Sequence, residues 1–205
     1  MIKSLVLFAG GTLALLLISC SNSAHLRNIQ QLKGAENPCA AYGCEGTFLA
    51  GITWEDGRGE NAFIVTEKRQ ENEEGERQSL IPVRYLMHGP KPKSTWQGLY
   101  SAENWCDAGE GVIGEIEVTD IDEDGVGEVL YVYNVEGNCD VSPKTYGLVL
   151  HSGTELYEIT GTDDLQVNRG IPGSAEMKFS ESFNTAPAGF RDHAVEAWKR
   201  LVPHD

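Results

Sequence analysis

Four carboxylates stand within nine residues, Asp120, Asp122, Asp124 and Glu128, at positions 1, 3, 5 and 9 of a stretch with Gly125 at position 6. A sharp turn at that glycine makes the carboxylates converge, the arrangement a hard divalent cation requires. Ca²⁺ takes about six to eight oxygens. The stretch offers the side chains of Asp120, Asp122, Asp124 and Glu128 and the carbonyl of Val126, leaving water for the remainder. A helix-flanked calcium loop would close with a bidentate glutamate at position 12, where Tyr131 stands instead. The flanks, 116–119 (IEVT) and 129–135 (VLYVYNV), are strand-like, so the loop belongs at a β-hairpin turn. Without the twelfth-position carboxylate, Ca²⁺ affinity is expected to be weak, with a Kd on the order of 10⁻⁴ M or above. The competing reading needs no ion: aspartates bond their own backbone and make a tight turn. Against it, four carboxylates this close repel one another unless a positive charge joins them.

The hairpin setting is reinforced by a faint repeat. Residues 55–65 align with 123–133 without a gap, placing Glu55, Asp56, Gly57, Gly59 and Glu60 on Glu123, Asp124, Gly125, Gly127 and Glu128. The first copy has Ile52 and Trp54 where the second has Asp120 and Asp122, so it keeps the turn and loses the ligands. Two copies are too few for a closed propeller of four or more blades.

The elements around these turns are short β-rich runs. Strands are expected over 47–54, 61–67, 79–87, 97–102, 112–119, 128–135, 145–151 and 155–160, with turn residues such as Gly89-Pro90 and Ser152-Gly153 between them. The acidic run 70–77 reads as a solvated hairpin tip. Near the C-terminus Phe190, Ala194, Val195, Trp198 and Leu201 share one helical face, with Pro187 near the start and Pro203 beyond the end. The expected fold is mainly β, an antiparallel meander or rolled sheet of about eight strands with one helix at about 187–201. That helix covers an apolar sheet face, and Trp198 belongs to the core.

The chain has 205 residues, with 31 Asp+Glu against 16 Lys+Arg and a formal net charge of −15. Phosphate binding needs clustered Lys and Arg, so this balance argues against nucleic acid and favours cations. Met1-Ile2-Lys3 is a basic head, and 5–18 is a mainly apolar stretch of 14 residues. As a helix it spans about 21 Å, short of the ~30 Å bilayer core, and so reads as a signal segment. Leu17-Ile18-Ser19-Cys20 resembles the bacterial lipobox. By that resemblance residues 1–19 are cleaved, Cys20 is acylated, and the protein is anchored in membrane lipid without a span. In enterobacterial lipoproteins an aspartate after the cysteine favours inner-membrane retention; by that resemblance Ser21 implies the outer membrane. Residues 20–38 read as a lipidated tether with at most a weak helix over 24–33, and 39–205 as a single β-rich domain.

Assigning Cys20 to lipid leaves Cys39, Cys44, Cys106 and Cys139, an even set suited to disulfides in an oxidising compartment. The spacings fit no zinc site. Cys39 and Cys44 close a small loop; Cys106 and Cys139 would close one of 34 residues. Four cysteines permit three connectivities.

The Asp loop between strand-like flanks resembles the Asp-rich loops of FG-GAP and VCBS-type repeats. With residues 54–61 (WEDGRGEN), 119–128 (TDIDEDGVGE) and 139–143 (CDVSP), the chain resembles over about 48–200 an uncharacterised family of exported bacterial lipoproteins. Some of its members carry the label surface polysaccharide biosynthesis protein. The resemblance implies a β fold, a Cys106–Cys139 pairing and no catalytic residues. The sequence carries no Gly-x-Ser-x-Gly, His-Glu-x-x-His or Gly-rich phosphate loop, and its histidines (His25, His88, His151, His193, His204) are scattered. The expected function is a lipid-anchored envelope β-domain for non-catalytic binding or scaffolding, stabilised by Ca²⁺. The alternatives are an accessory part in surface polysaccharide assembly and an envelope hydrolase. Trp54, Trp96 and Trp105 could stack on sugars where exposed, although burial is the commoner state of tryptophan.

Overall fold

The computed structural model describes residues 26–34, 38–73, 75–88, 91–105, 108–137, 143–163 and 177–203. The expected signal segment 1–19, Cys20, Cys106 and Cys139 lie outside the described residues.

The fold is mainly β with a C-terminal helix, as the alternating pattern implies. The first sheet contains β1 (Arg27–Gln31), β2 (Thr47–Asp56), β3 (Gly59–Asn72), β4 (Gly75–His88), β5 (Lys91–Gln97) and β6 (Tyr100–Asn104). The second contains β7 (Gly111–Thr119), β8 (Glu128–Asn134), β9 (Thr145–Ser152), β10 (Glu155–Thr162) and β11 (Lys178–Phe179). Pairing is antiparallel throughout. The first sheet runs in chain order from β1 to β5, with β6 also on β4, and the second runs from β7 to β11. The two sheets pack face to face. Ile52, Trp54, Phe63, Val65 and Leu80 of the first meet Ile116, Val129, Tyr131, Tyr133 and Val149 of the second in one buried cluster.

Strand period two then assigns the other faces. On β8, Val129, Tyr131 and Tyr133 point between the sheets, while Leu130 and Val132 point out against α2 (Phe190–Leu201). Phe190, Ala194, Ala197 and Trp198 of that helix are buried on Leu148, Leu150, Tyr157 and Ile159, so Trp198 is core as expected. Lys199 and Arg200 occupy its last turn, where cations complement the helix dipole. Among the described residues no helix is long and apolar enough to cross a membrane.

Three differences from the sequence-based expectation have local causes. The tether expected over 20–38 contains β1, an edge strand paired with β2, and the weak helix expected over 24–33 is not formed in its described part. The strand expected at 97–102 is interrupted at 98–99. Both β5 and β6 lie along one edge of β4, and Pro82 of β4 presents only its carbonyl there, which accepts from the Gly98 N–H (2.9 Å). Proline has no N–H to continue that ladder. Finally, residues 38–42 form α1 (Pro38–Tyr42), five residues that could not hold a helix alone.

The Cys39–Cys44 disulfide closes the turn after α1, and Tyr42 and Cys44 cover Ala62, Ile64, Val83 and Tyr85 on the outer face of the first sheet. Replacing Cys44 by Ser is expected to cost about 2 kcal/mol in urea denaturation, from the small loop released in the unfolded chain. An unchanged midpoint would show that the cross-link contributes nothing to stability.

Candidate metal centre

The loop between β7 and β8 brings Asp120, Asp122, Asp124 and Glu128 together, each offering one oxygen, with all these atoms within 4.8 Å of one another. The backbone is bent to do so: Glu123 takes φ 58° and Gly125 φ 80°, in the left-handed region that glycine tolerates and other residues rarely enter. The Asp120 carboxylate accepts the Gly125 N–H (3.2 Å), Asp122 Oδ1 accepts the Asp124 N–H (3.3 Å), and Asp124 Oδ1 accepts the Val126 N–H (2.7 Å). These are the self-bonded turns of the ion-free reading. They use one carboxylate oxygen each of Asp122 and Asp124.

Glu128 differs from the other three. It is only 1 % exposed, because the first residue of β8 lies under the loop. Its Oε2 accepts the Ile121 N–H at 2.7 Å, and its Oε1 is buried with no hydrogen-bond partner. Burial pushes the Glu128 carboxyl up to about 7; the Ile121 N–H opposes this, and the charges of Asp122, Asp120 and Asp124 add to it. A buried carboxylate oxygen without a partner costs about 1–3 kcal/mol or more. A cation among these four groups would supply the missing partner and relieve the repulsion.

The first copy of the repeat sits against this loop. The Gly57 N–H donates to the Gly125 carbonyl (2.7 Å), and Asp56 Oδ2 accepts from the Gly127 N–H (3.1 Å) and from Trp54 Nε1–H (2.9 Å). Asp56 Oδ1 accepts the Arg58 N–H (2.8 Å). Arg84 of β4 donates through Nη2 to the Gly127 carbonyl (3.1 Å), lies 3.7 Å from Asp56 Oδ2, and stacks 5.1 Å over the Trp54 ring. A side chain at Gly127 is excluded: a Cβ there would stand 2.6 Å from Trp54 Nε1, 2.8 Å from Val118 and 3.2 Å from Leu26. The sequence repeat indicated two like hairpins; that their tips dock on each other was not readable from it.

Other candidate groups are dispersed. Trp54 is buried, Trp96 is half-buried beside His151, and Trp105 is 70 % exposed. His151 is fully buried between the sheets with neither ring nitrogen partnered; burial, then the Arg84 charge, press its imidazole down to about 3. A glycosidase would require two carboxyl groups in one cleft. The cavity of about 480 Å³ beside Tyr42 and Asn61 has Glu55 and Glu60 on its wall, the first half-buried and the second exposed.

No family model matches the chain, and neither a curated protein nor a solved structure matches it.

Proposed function

We propose that the protein is a lipid-anchored β-sandwich of the bacterial cell envelope, held at the outer membrane through Cys20, that binds Ca²⁺ at Asp120, Asp122, Asp124, Glu128 and the Val126 carbonyl. In this reading it is a non-catalytic binding or scaffolding domain whose second sheet is stabilised by the ion. The observation that carries the metal part is Glu128 Oε1, buried and unpartnered among three further carboxylates. All-oxygen ligation selects a hard cation, and the size and flexibility of a loop with several water positions suit Ca²⁺ better than Mg²⁺. The anchor rests on the Leu17-Ile18-Ser19-Cys20 sequence.

Titration calorimetry and thermal melting of the full-length protein test the metal. With a Kd on the order of 10⁻⁴ M, about 10 mM Ca²⁺ should raise the melting temperature by about 5–10 °C. Asp122→Ala should remove that shift while leaving the calcium-free melting temperature nearly unchanged. No heat and no shift for the unsubstituted protein would eliminate calcium from the reading. Mass spectrometry of membrane-extracted protein tests the anchor: an acylated Cys20 at the new N-terminus is expected, and an unmodified thiol there would refute it.

A further inference from the structure

We infer that Asp56, on the hairpin that lacks ligands, is a positioning residue for the cation loop, so that the ligand-free copy of the repeat acts as the outer support of the ligand-bearing one. The inference rests on the calcium reading above and adds to it a residue that contributes no ligand.

The loop's problem is to keep Gly125, Val126 and Gly127 in one path while four like charges push outward. Its own turns fix Asp122 and Asp124, but the return into β8 is fixed from outside. Gly127 has both backbone polar groups held by the first sheet: its N–H by Asp56 Oδ2 and its carbonyl by Arg84 Nη2. Gly125, which makes the sharp turn, has its carbonyl held by the Gly57 N–H. Glu128 follows directly, so these contacts fix the backbone from which its side chain departs, and the Ile121 N–H then holds its Oε2. Asp56 is itself immobilised: 8 % exposed, it accepts from Trp54 Nε1 and the Arg58 N–H and faces the buried Arg84 guanidinium. Outer-shell groups of this kind fix ligand direction without touching the ion.

Two consequences distinguish positioning from mere support of the fold. A support alone would change stability and leave the affinity of the folded protein unaltered. A positioning residue changes the affinity measured well below the melting temperature. Asp56→Asn retains one acceptor and the side-chain volume but cannot serve Gly127, Trp54 and Arg58 as the carboxylate does. The expected result is a Kd for Ca²⁺ weakened about tenfold or more, read by calorimetry on the full-length protein at 15 °C alongside its calcium-free melting curve. Gly57→Pro provides a second route if Asp56→Asn does not fold. Proline is favoured at the first central position of type I turns; it removes the N–H that meets Gly125, sets a ring methylene against that carbonyl, and should weaken Ca²⁺ severalfold. Glu60→Gln, on the same hairpin but exposed, should leave the Kd unchanged. If the unsubstituted protein binds Ca²⁺ and both hairpin variants bind it equally well, Asp56 is not a positioning residue, although the calcium site stands. If the unsubstituted protein binds none, the calcium reading fails and this inference with it.

Discussion

Replacing Glu128 by Gln is expected to stabilise the calcium-free protein relative to the unsubstituted one, by a margin that grows by about 3 kcal/mol between about pH 5 and about pH 8. The folded Glu128 carboxyl titrates near 7, against 4.5 for an unperturbed glutamate. Between those values the folded protein holds a proton that the unfolded chain has released. Raising the pH therefore favours unfolding, and the effect is complete above about 7. His151 contributes the opposite sign. Folded, it is held near 3 against an ordinary 6.5, so the unfolded chain takes up a proton as pH falls through 6.5 and stability is lost. From about pH 5 to 6.5 the two slopes oppose each other, so the profile of the unsubstituted protein alone does not isolate Glu128. The difference between variant and parent removes His151, His193 and Asp163, which both proteins share. Urea denaturation in a calcium chelator at several pH values reads it directly. A margin independent of pH would mean that Glu128 is ionised in the folded protein without an ion. In calcium the margin should shrink above neutrality, since the parent offers the ion a charged ligand where glutamine offers only a neutral oxygen.

Arg84→Ala is expected to cost about 3–5 kcal/mol, a large part of the stability of an ordinary domain. The guanidinium is 3 % exposed, stacked on Trp54 and 3.7 Å from Asp56. Removing it leaves the Asp56 carboxylate buried against an empty volume and frees the Gly127 carbonyl. Burial lowers the Arg84 pKa while Asp56 draws it back up, so the group remains a cation that depends on its neighbours. Lysine should recover less than half of the loss, because it lacks the planar face that stacks on the indole and holds its charge at a point; of the guanidinium fork only Nη2 is used, on the Gly127 carbonyl, and Nη1 is buried without a partner. Urea midpoints decide the matter; a loss below about 1 kcal/mol would show that the pair breaks even with its desolvation.

The elements legible in the sequence were those whose pattern is a local consequence of burial. The strands β8 and β9, buried nearly throughout, and α2, with Phe190, Ala194 and Trp198 on one face, could be placed to within a few residues. The strand β1 could not, since Arg27-Asn28-Ile29-Gln30-Gln31 is exposed along its whole length. It is a strand because β2 offers an unpaired edge and Gln31 Nε2 reaches the Ile116 carbonyl at 2.6 Å. The outer ends of β3 and β4, polar in sequence from Lys68 to Asn72 and from Gly75 to Gln78, follow the same logic: pairing extends them beyond what their hydrophobic pattern marks. In the site, the four carboxylates were legible because they lie within nine residues. The burial of Glu128 and the support from Asp56 and Arg84 were not, because those contacts span 71 and 43 residues of chain.

The pairing of β1 with β2 also shortens the leash. Arg27 lies opposite Glu55, at the hairpin tip that touches the Asp loop, and Leu26 approaches Gly127 itself. Six residue steps separate Cys20 from Leu26, a reach of about 20 Å at full stretch. Were the proposed anchor present, that reach would bound the distance between the bilayer and the hairpin tip that carries Glu55. An anionic leaflet gathers divalent ions within about a Debye length, roughly 8 Å. A weak site that came within that layer would fill at bulk calcium concentrations too low to load the same domain free in solution.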